Sequence, residues 1–142
     1  MRVEAILQQK GSAVVTIEDT ATLVEAAEAL DSHNIGALVV INAQGRPVAV
    51  MTERDIIREL AVHGAASLQR SVANAMTPVF LTATLDETVE SVMMRMTGRR
   101  VRHLPVLDAG KLAGIVSIGD VVKAKIADAE AQTAAMRDYI LS

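Results

Sequence analysis

Apolar residues follow two rhythms that take turns along the chain, and the same succession occurs twice. Residues 13–17 and 79–83 are short apolar-rich runs of strand type. Positions spaced three and four apart come next, Leu23, Ala26, Ala27 and Leu30 in the first stretch and Val89, Val92, Met93 and Met96 in the second. This spacing predicts an amphipathic helix in each. Thr22 and Thr88 stand just ahead of these segments, where a hydroxyl can cap the first free backbone N–H groups. Runs 37–41 with 48–51, and 104–107 with 112–118, are too short for helices. Gly45 and Gly110 separate the members of each pair, so both pairs predict hairpins of buried strands. A second helix is expected to begin at Thr52/Asp55 and at Ser117/Asp120.

Set against itself at an offset of 66 residues, the chain superposes Thr16 on Thr82, Thr22 on Thr88, Leu38 on Leu104, Val40 on Val106 and Ala43 on Ala109. A one-residue deletion near Gln44 drops the offset to 65 and brings Gly45 onto Gly110 and Asp55 onto Asp120. The chain is one β-α-β-β-α unit written twice. One such unit buries a single face of its sheet, so the two copies are expected to pack sheet to sheet about a pseudo-twofold axis. The predicted class is α/β (α+β), with repeats over residues 1–64 and 65–142 joined by a short polar connector at 64–71. Residues 120–141 contain neither Gly nor Pro and predict one long helix. Val122, Ile126, Ala129, Thr133, Met136 and Ile140 recur there at spacings of four and three, the rhythm of a helix–helix seam, and point to a homodimer contact.

Composition narrows the chemistry. With 142 residues, 51% of them apolar, the chain can bury a sizeable core. One Phe, one Tyr and no Trp leave that core to aliphatic residues and methionine, and remove the aromatic platforms that single-stranded nucleic acids stack on. Cysteine is absent, which excludes disulfides, thiolate metal sites and a Cys nucleophile. A net charge of −3 argues against nucleic-acid binding by the whole surface. His33, His63 and His103 are scattered without the spacing of a metal site. No apolar run reaches the ~18 residues of a membrane span, and the start of the chain lacks the apolar core of a signal peptide, so a cytoplasmic location is expected.

Several segments together resemble the tandem cystathionine-β-synthase (CBS) domain pair, or Bateman module. They are Val72-Ala73-Asn74-Ala75-Met76-Thr77-Pro78, Arg102-His103-Leu104-Pro105-Val106 and Gly114-Ile115-Val116-Ser117-Ile118-Gly119-Asp120 in the second copy. The first copy has Ile35-Gly36-Ala37-Leu38-Val39-Val40 and Thr52-Glu53-Arg54-Asp55. The resemblance covers nearly the whole chain and leaves no room for a catalytic domain. It implies a stand-alone regulatory module that takes AMP, ADP or ATP, with NAD and S-adenosylmethionine as further candidates. It also implies a homodimer that signals to an unknown regulated protein by conformational change.

The resemblance assigns roles residue by residue. Asp55 and Asp120 would accept hydrogen bonds from the ribose hydroxyls, with Thr52 and Ser117 beside them at the helix start. The same residues also read as capping boxes, a hydroxyl with a carboxylate three positions on, and the two roles coexist because the cap aims the carboxylate. Thr16 and Thr82 would lie beside the nucleotide, while Ile35, Gly36, Ala37 and Val101 would flank the adenine. Arg102 and His103, within the basic run Arg99-Arg100-Val101-Arg102-His103, would face phosphates, with Arg100, Arg54 and Lys123 as further cations. That basic run also reads as a solvated loop. Ala49 stands where the second copy has Gly114, and its methyl is expected to crowd a ribose in the first copy. No Walker loop, Gly-x-Ser-x-Gly elbow or paired catalytic carboxylates occur, so no enzyme is expected. The alternative to a nucleotide sensor is a ligand-free structural module that dimerises and regulates a partner.

Overall fold

A computed structural model describes residues 1–77 and 80–142. The strand expected over 79–83 thus begins outside the described residues, as does Pro78 of the 72–78 motif. The chain forms two compact units, one of Ala13–Thr82 and the other of Met1–Ser12 with Ala83–Ser142.

In the first of these, β1 (Thr16–Glu18) leads to α2 (Leu23–His33), then β2 (Ala37–Ile41), β3 (Pro47–Thr52) and α3 (Glu53–His63). A 3-10 turn (Ala65–Gln69) and the short helix α4 (Val72–Ala75) complete it. The other unit opens with α1 (Val3–Lys10) and continues through β4 (Ala83–Thr84), α5 (Val89–Arg99), β5 (His103–Asp108), β6 (Lys111–Ser117) and α6 (Ile118–Leu141). Each unit holds a three-stranded mixed sheet with one parallel and one antiparallel pairing, in the order β1-β2-β3 and β4-β5-β6. The fold is the predicted α/β duplication with a long C-terminal helix. No helix among the described residues is long and apolar enough to cross a membrane.

The registers repeat as closely as the sequence. Ile17 pairs with Val40 and Ala83 with Val106, the same step at the 66-residue offset. Each hairpin carries one extra residue on its second strand, Val48 and Ala113, between otherwise continuous pairs. The turns differ. Ala109 and Gly110, at φ 52° and 79°, make a two-residue hairpin turn. Between Asn42 and Arg46 the loop is longer, and the Asn42 carboxamide oxygen accepts from Gln44 N–H at 3.0 Å and Arg46 N–H at 2.9 Å. Five residues separate Ile41 from its partner Pro47 and four separate Leu107 from Leu112, and this one-residue difference is the physical origin of the change in offset.

All four major helices start as their sequences predict. Thr22, Thr52, Thr88 and Ser117 each accept a hydrogen bond from the backbone N–H three residues on. The expected apolar faces point inward, with Leu23, Ala26 and Leu30 buried on α2 and Val89, Val92 and Met96 on α5. Helix α6 begins at Ile118, which was expected to end a strand, because the Ser117 cap turns the chain first.

The closing helices lie at opposite ends of the two units. Val72 N–H donates to Ala21 O, Ala73 N–H to Asp19 O, and Leu23 N–H to Arg70 O. The other unit repeats all three bonds with Val3 to Glu87, Glu4 to Leu85 and Val89 to Met1. Helix α1 is therefore the counterpart of α4, but it precedes its unit in the chain whereas α4 comes after its own. The sequence division at residue 64 assigns α1 to the first repeat and residues 65–82 to the second. In the structure Val3, Ile6 and Leu7 are buried in the unit of Ala83–Ser142, and Val72 and Ala75 in that of Ala13–Thr82.

Leu7 also explains one glycine. A Cβ on Gly114 would meet both Leu7 methyl carbons at 2.8 Å. We expect Gly114→Ala to destabilise by about 1–3 kcal/mol through overpacking and Leu7→Ala by about 2–5 kcal/mol through lost burial. Chemical denaturation of the double variant should show less than the summed loss; strict additivity would mean that Leu7 and Gly114 do not share this space.

Candidate functional site

Two strands run into their following helices without an intervening loop, and a carboxylate closes each junction. At the end of β3, Thr52 Oγ1 accepts from Asp55 N–H at 3.4 Å. Asp55 Oδ2 in return accepts from Thr52 N–H at 2.8 Å and from the Thr52 hydroxyl at 3.0 Å. At the end of β6, Ser117 Oγ accepts from Asp120 N–H at 3.1 Å while Asp120 Oδ2 accepts from Ser117 N–H at 2.9 Å. Both are complete capping boxes, and both place a negative charge at the positive end of a helix.

Neighbouring strands bring other predicted residues to these junctions. Ala37 pairs with Thr52, and Glu53 N–H donates to Gly36 O at 3.4 Å, which places Ile35, Gly36 and Ala37 beside the start of α3. In the other unit His103 pairs with Ser117, and Ile118 N–H donates to Arg102 O at 2.8 Å, so Val101, Arg102 and His103 flank the start of α6. Thr16 opens β1 opposite Val39, two residues along β2 from Ala37. Thr82 stands immediately before β4.

The remaining cations make no side-chain ion pair with these carboxylates among the described residues. Arg54 precedes Asp55 on α3, and since successive helical residues point about 100° apart it leaves on another face. Lys123 sits one turn past Asp120 on α6. Arg100 caps α5 in a left-handed conformation at φ 54°, as Asn34 caps α2 at φ 53°. That conformation suits Asn better than Arg. Arg54, Arg100, Arg102 and Lys123 are exposed and carry no side-chain ion pair among the described residues.

Two cations missed in the sequence reading hold the carboxylates. Arg58 Nη1 donates to Asp55 Oδ1 at 3.2 Å from one turn along the same helix, a spacing that was legible. Lys10 Nζ donates to Asp120 Oδ2 at 2.7 Å and to Ile115 O at 3.0 Å. Nothing local in the sequence links Lys10 to Asp120, because the packing of α1 sets their contact. Burial pushes the Asp120 carboxyl up, but the Lys10 ammonium and the Ser117 N–H outweigh it and hold the carboxyl below its ordinary range. Asp55 is buried, at 6% exposure.

Ala49 is 1% exposed and packs with Leu38, Val40 and Met51 in the core of its unit. Its methyl fills that core. Gly114, at the equivalent position, is the residue under Leu7.

The CBS domain family matches this chain at residues 10–62 and 71–127. The mitochondrial CBS domain-containing protein CBSX3 of Arabidopsis thaliana is 35% identical over 123 residues, 84% of this chain. The chain spans 60% of that relative's length and a similar share of two further relatives. A solved CBS-domain-containing protein of Agrobacterium tumefaciens is 47% identical, with TM-score 0.84 and coverage of 87% of this chain and 92% of that one. The CBS domain pair of protein MJ0100, solved with 5′-methylthioadenosine and S-adenosyl-L-methionine, is 27% identical at TM-score 0.79, covering 90% of this chain and 98% of that one.

A carboxyl with a lowered folded-state pKa stabilises the fold above its ordinary value of 3.8 and loses that contribution as the pH falls through the lowered one. Asp120→Asn, which keeps a cap acceptor, is expected to show a flatter decline of stability below about pH 5 than the parent. Denaturant midpoints measured along a pH series check this; parallel curves would mean that the Lys10 pairing is not made in solution.

Proposed function

The chain belongs to the CBS domain family as a pair of CBS domains, and on that premise we propose that it is a non-catalytic regulatory module that binds an adenosine-containing nucleotide. The observation that carries this reading is the recurrence of one constellation in both units. Each has an aspartate locked at the N-terminus of a helix and, beside it, the first residues of a neighbouring strand. A carboxylate has acceptor capacity on both oxygens, which suits the vicinal hydroxyls of a ribose. Asp55 and Asp120 take that role, with Thr16, Thr52, Thr82 and Ser117 beside the sugar. Ile35, Gly36, Ala37 and Val101 border the base. The adenosyl ligands of the MJ0100 CBS pair support the same ligand class.

The charge distribution favours phosphorylated ligands. Arg102 and His103 adjoin the Asp120 junction, and Arg100, Arg54 and Lys123 add exposed cations near the two helix starts. AMP, ADP or ATP fits this set best, with NAD and S-adenosylmethionine as further candidates. Ligand binding would bias the conformations available to the module, and a partner protein would read the shift.

A homodimer is part of the proposal. Val122, Ile126, Ala129, Thr133, Met136 and Ile140 are all exposed on α6, an apolar-rich stripe that its own unit leaves uncovered. Ile57, at the position of α3 equivalent to Val122, is 60% exposed, so both units present an apolar residue at the same helical site.

Thermal melts with AMP, ADP, ATP, NAD and S-adenosylmethionine test the ligand reading. A ligand at 100 times its Kd adds about 2.7 kcal/mol of stability, and a selective rise in Tm is expected. Asp120→Ala together with Asp55→Ala should abolish it. A flat response to the whole panel from a stable dimer would instead favour a ligand-free structural module. Light scattering should report a dimer that Met136→Glu with Ile140→Glu disrupts; an unchanged mass would place the interface elsewhere.

A further inference from the structure

Lys10 ends α1, beyond the part of that helix that α4 matches. Helix α1 is eight residues long, whereas its counterpart α4 is four, and the additional turn carries Lys10 to Asp120. Asp120 Oδ2 then accepts from both Lys10 Nζ at 2.7 Å and Ser117 N–H at 2.9 Å, which uses both of that oxygen's lone pairs. A vicinal diol that bridges a carboxylate needs an acceptor position on each oxygen. Asp120 can offer that only if Lys10 lets go.

Release is a side-chain movement. Val3, Ile6 and Leu7 anchor the body of α1 in the core, while the Lys10 side chain is 35% exposed at its end. A freed ammonium therefore stays close to whatever takes its place. With a neutral nucleoside on Asp120, it loses its carboxylate partner and gains nothing. With a phosphorylated nucleoside it has a new anion within reach.

We propose that Lys10 is a specificity-determining residue of the Asp120 site: it closes the carboxylate to uncharged nucleosides and yields to ligands that carry phosphate. This inference rests on the adenosine reading above and adds to it the charge class that the site selects. At Asp55 the second position on Oδ2 is held by the Thr52 hydroxyl, which rotates away without moving a helix, and the cation on Oδ1 is Arg58, a neighbour on the same helix, so the closing-helix latch is confined to the Asp120 site.

Calorimetric titration of adenosine and AMP into the full chain carrying Asp55→Asn isolates the Asp120 site. Adding Lys10→Met, which keeps the aliphatic stem, is expected to tighten adenosine about two- to fivefold, the range for a partly exposed ion pair, and to shrink the preference for AMP. Adenosine affinity should rise with added salt when Lys10 is present and be insensitive to salt in Lys10→Met, because salt screens the pair that the diol must break. Lys10→Arg should restore the preference for AMP. Adenosine bound equally or more weakly by Lys10→Met, or an unchanged preference, would overturn the latch while leaving the site assignment standing. Binding that survives Asp120→Asn, or no binding of either ligand by the parent, would remove the ribose reading and the latch together.

Discussion

The reciprocal hydrogen bonding of a strand-final hydroxyl residue with a carboxylate three positions on is the constraint that the rest depends on. β3 ends at Thr52 and α3 begins at Glu53; β6 ends at Ser117 and α6 begins at Ile118. With no loop at either junction, the first free N–H groups of the helix must find acceptors close at hand, and the first of them donates to the residue that precedes the neighbouring strand. The capping box supplies the acceptor for the third, at about 0.5–2 kcal/mol per cap, and in doing so fixes the carboxylate against the end of the sheet. Under the proposed reading, the side chain that binds ligand is one that something other than ligand already holds. Here the fold holds it for its own reasons.

The duplicated frame is closed by segments that enter from opposite ends of their units, and this breaks the equivalence of the copies. The three backbone bonds that dock α4 are matched one for one by those that dock α1. The two helices end differently. After Met76 comes Thr77-Pro78, and a residue before proline is disfavoured in helical conformation, so α4 stops. Helix α1 meets no such stop before Gly11, at φ 98°, and gains the turn that bears Lys10. The core adjusts in the same place: Gly114 leaves room for Leu7, while Ala49 supplies a methyl to a core on which Met76 packs.

Much of this was legible because it is local. Caps, apolar spacing and hairpin glycines act within a few residues, so the helix starts, the 37–41 strand and the duplication could all be read from the pattern. The two aspartates were legible for the same reason, since a capping box is a spacing of three. Other features depend on pairing across the chain. Among the described residues, only Thr16–Glu18 and Ala83–Thr84 find parallel partners, so β1 and β4 do not follow the bounds of the apolar runs. Helix α1 escaped notice because its counterpart lies at an offset of 69 rather than 66, with Val3 against Val72 as the identical pair, and because its partners Leu85 and Glu87 are some 80 residues away. Lys10 and the unit boundaries were hidden with it.

The same geometry explains how two copies of one frame can come to differ in chemistry without loss of fold. The first helical N–H of α3 donates to Gly36 O and that of α6 to Arg102 O. These are backbone bonds, which any residue can accept, so the side chains at these positions are free to change. Gly36-Ala37 in one unit and Arg102-His103 in the other occupy equivalent places beside equivalent carboxylates. The carboxylates themselves are not free, because each also caps its helix. Under the proposed reading the fold therefore keeps the sugar-binding group constant and leaves the surrounding charge open to selection. The Asp120 unit, with Arg102, His103 and Lys10 gathered at one helix start, has become the more cationic of the two.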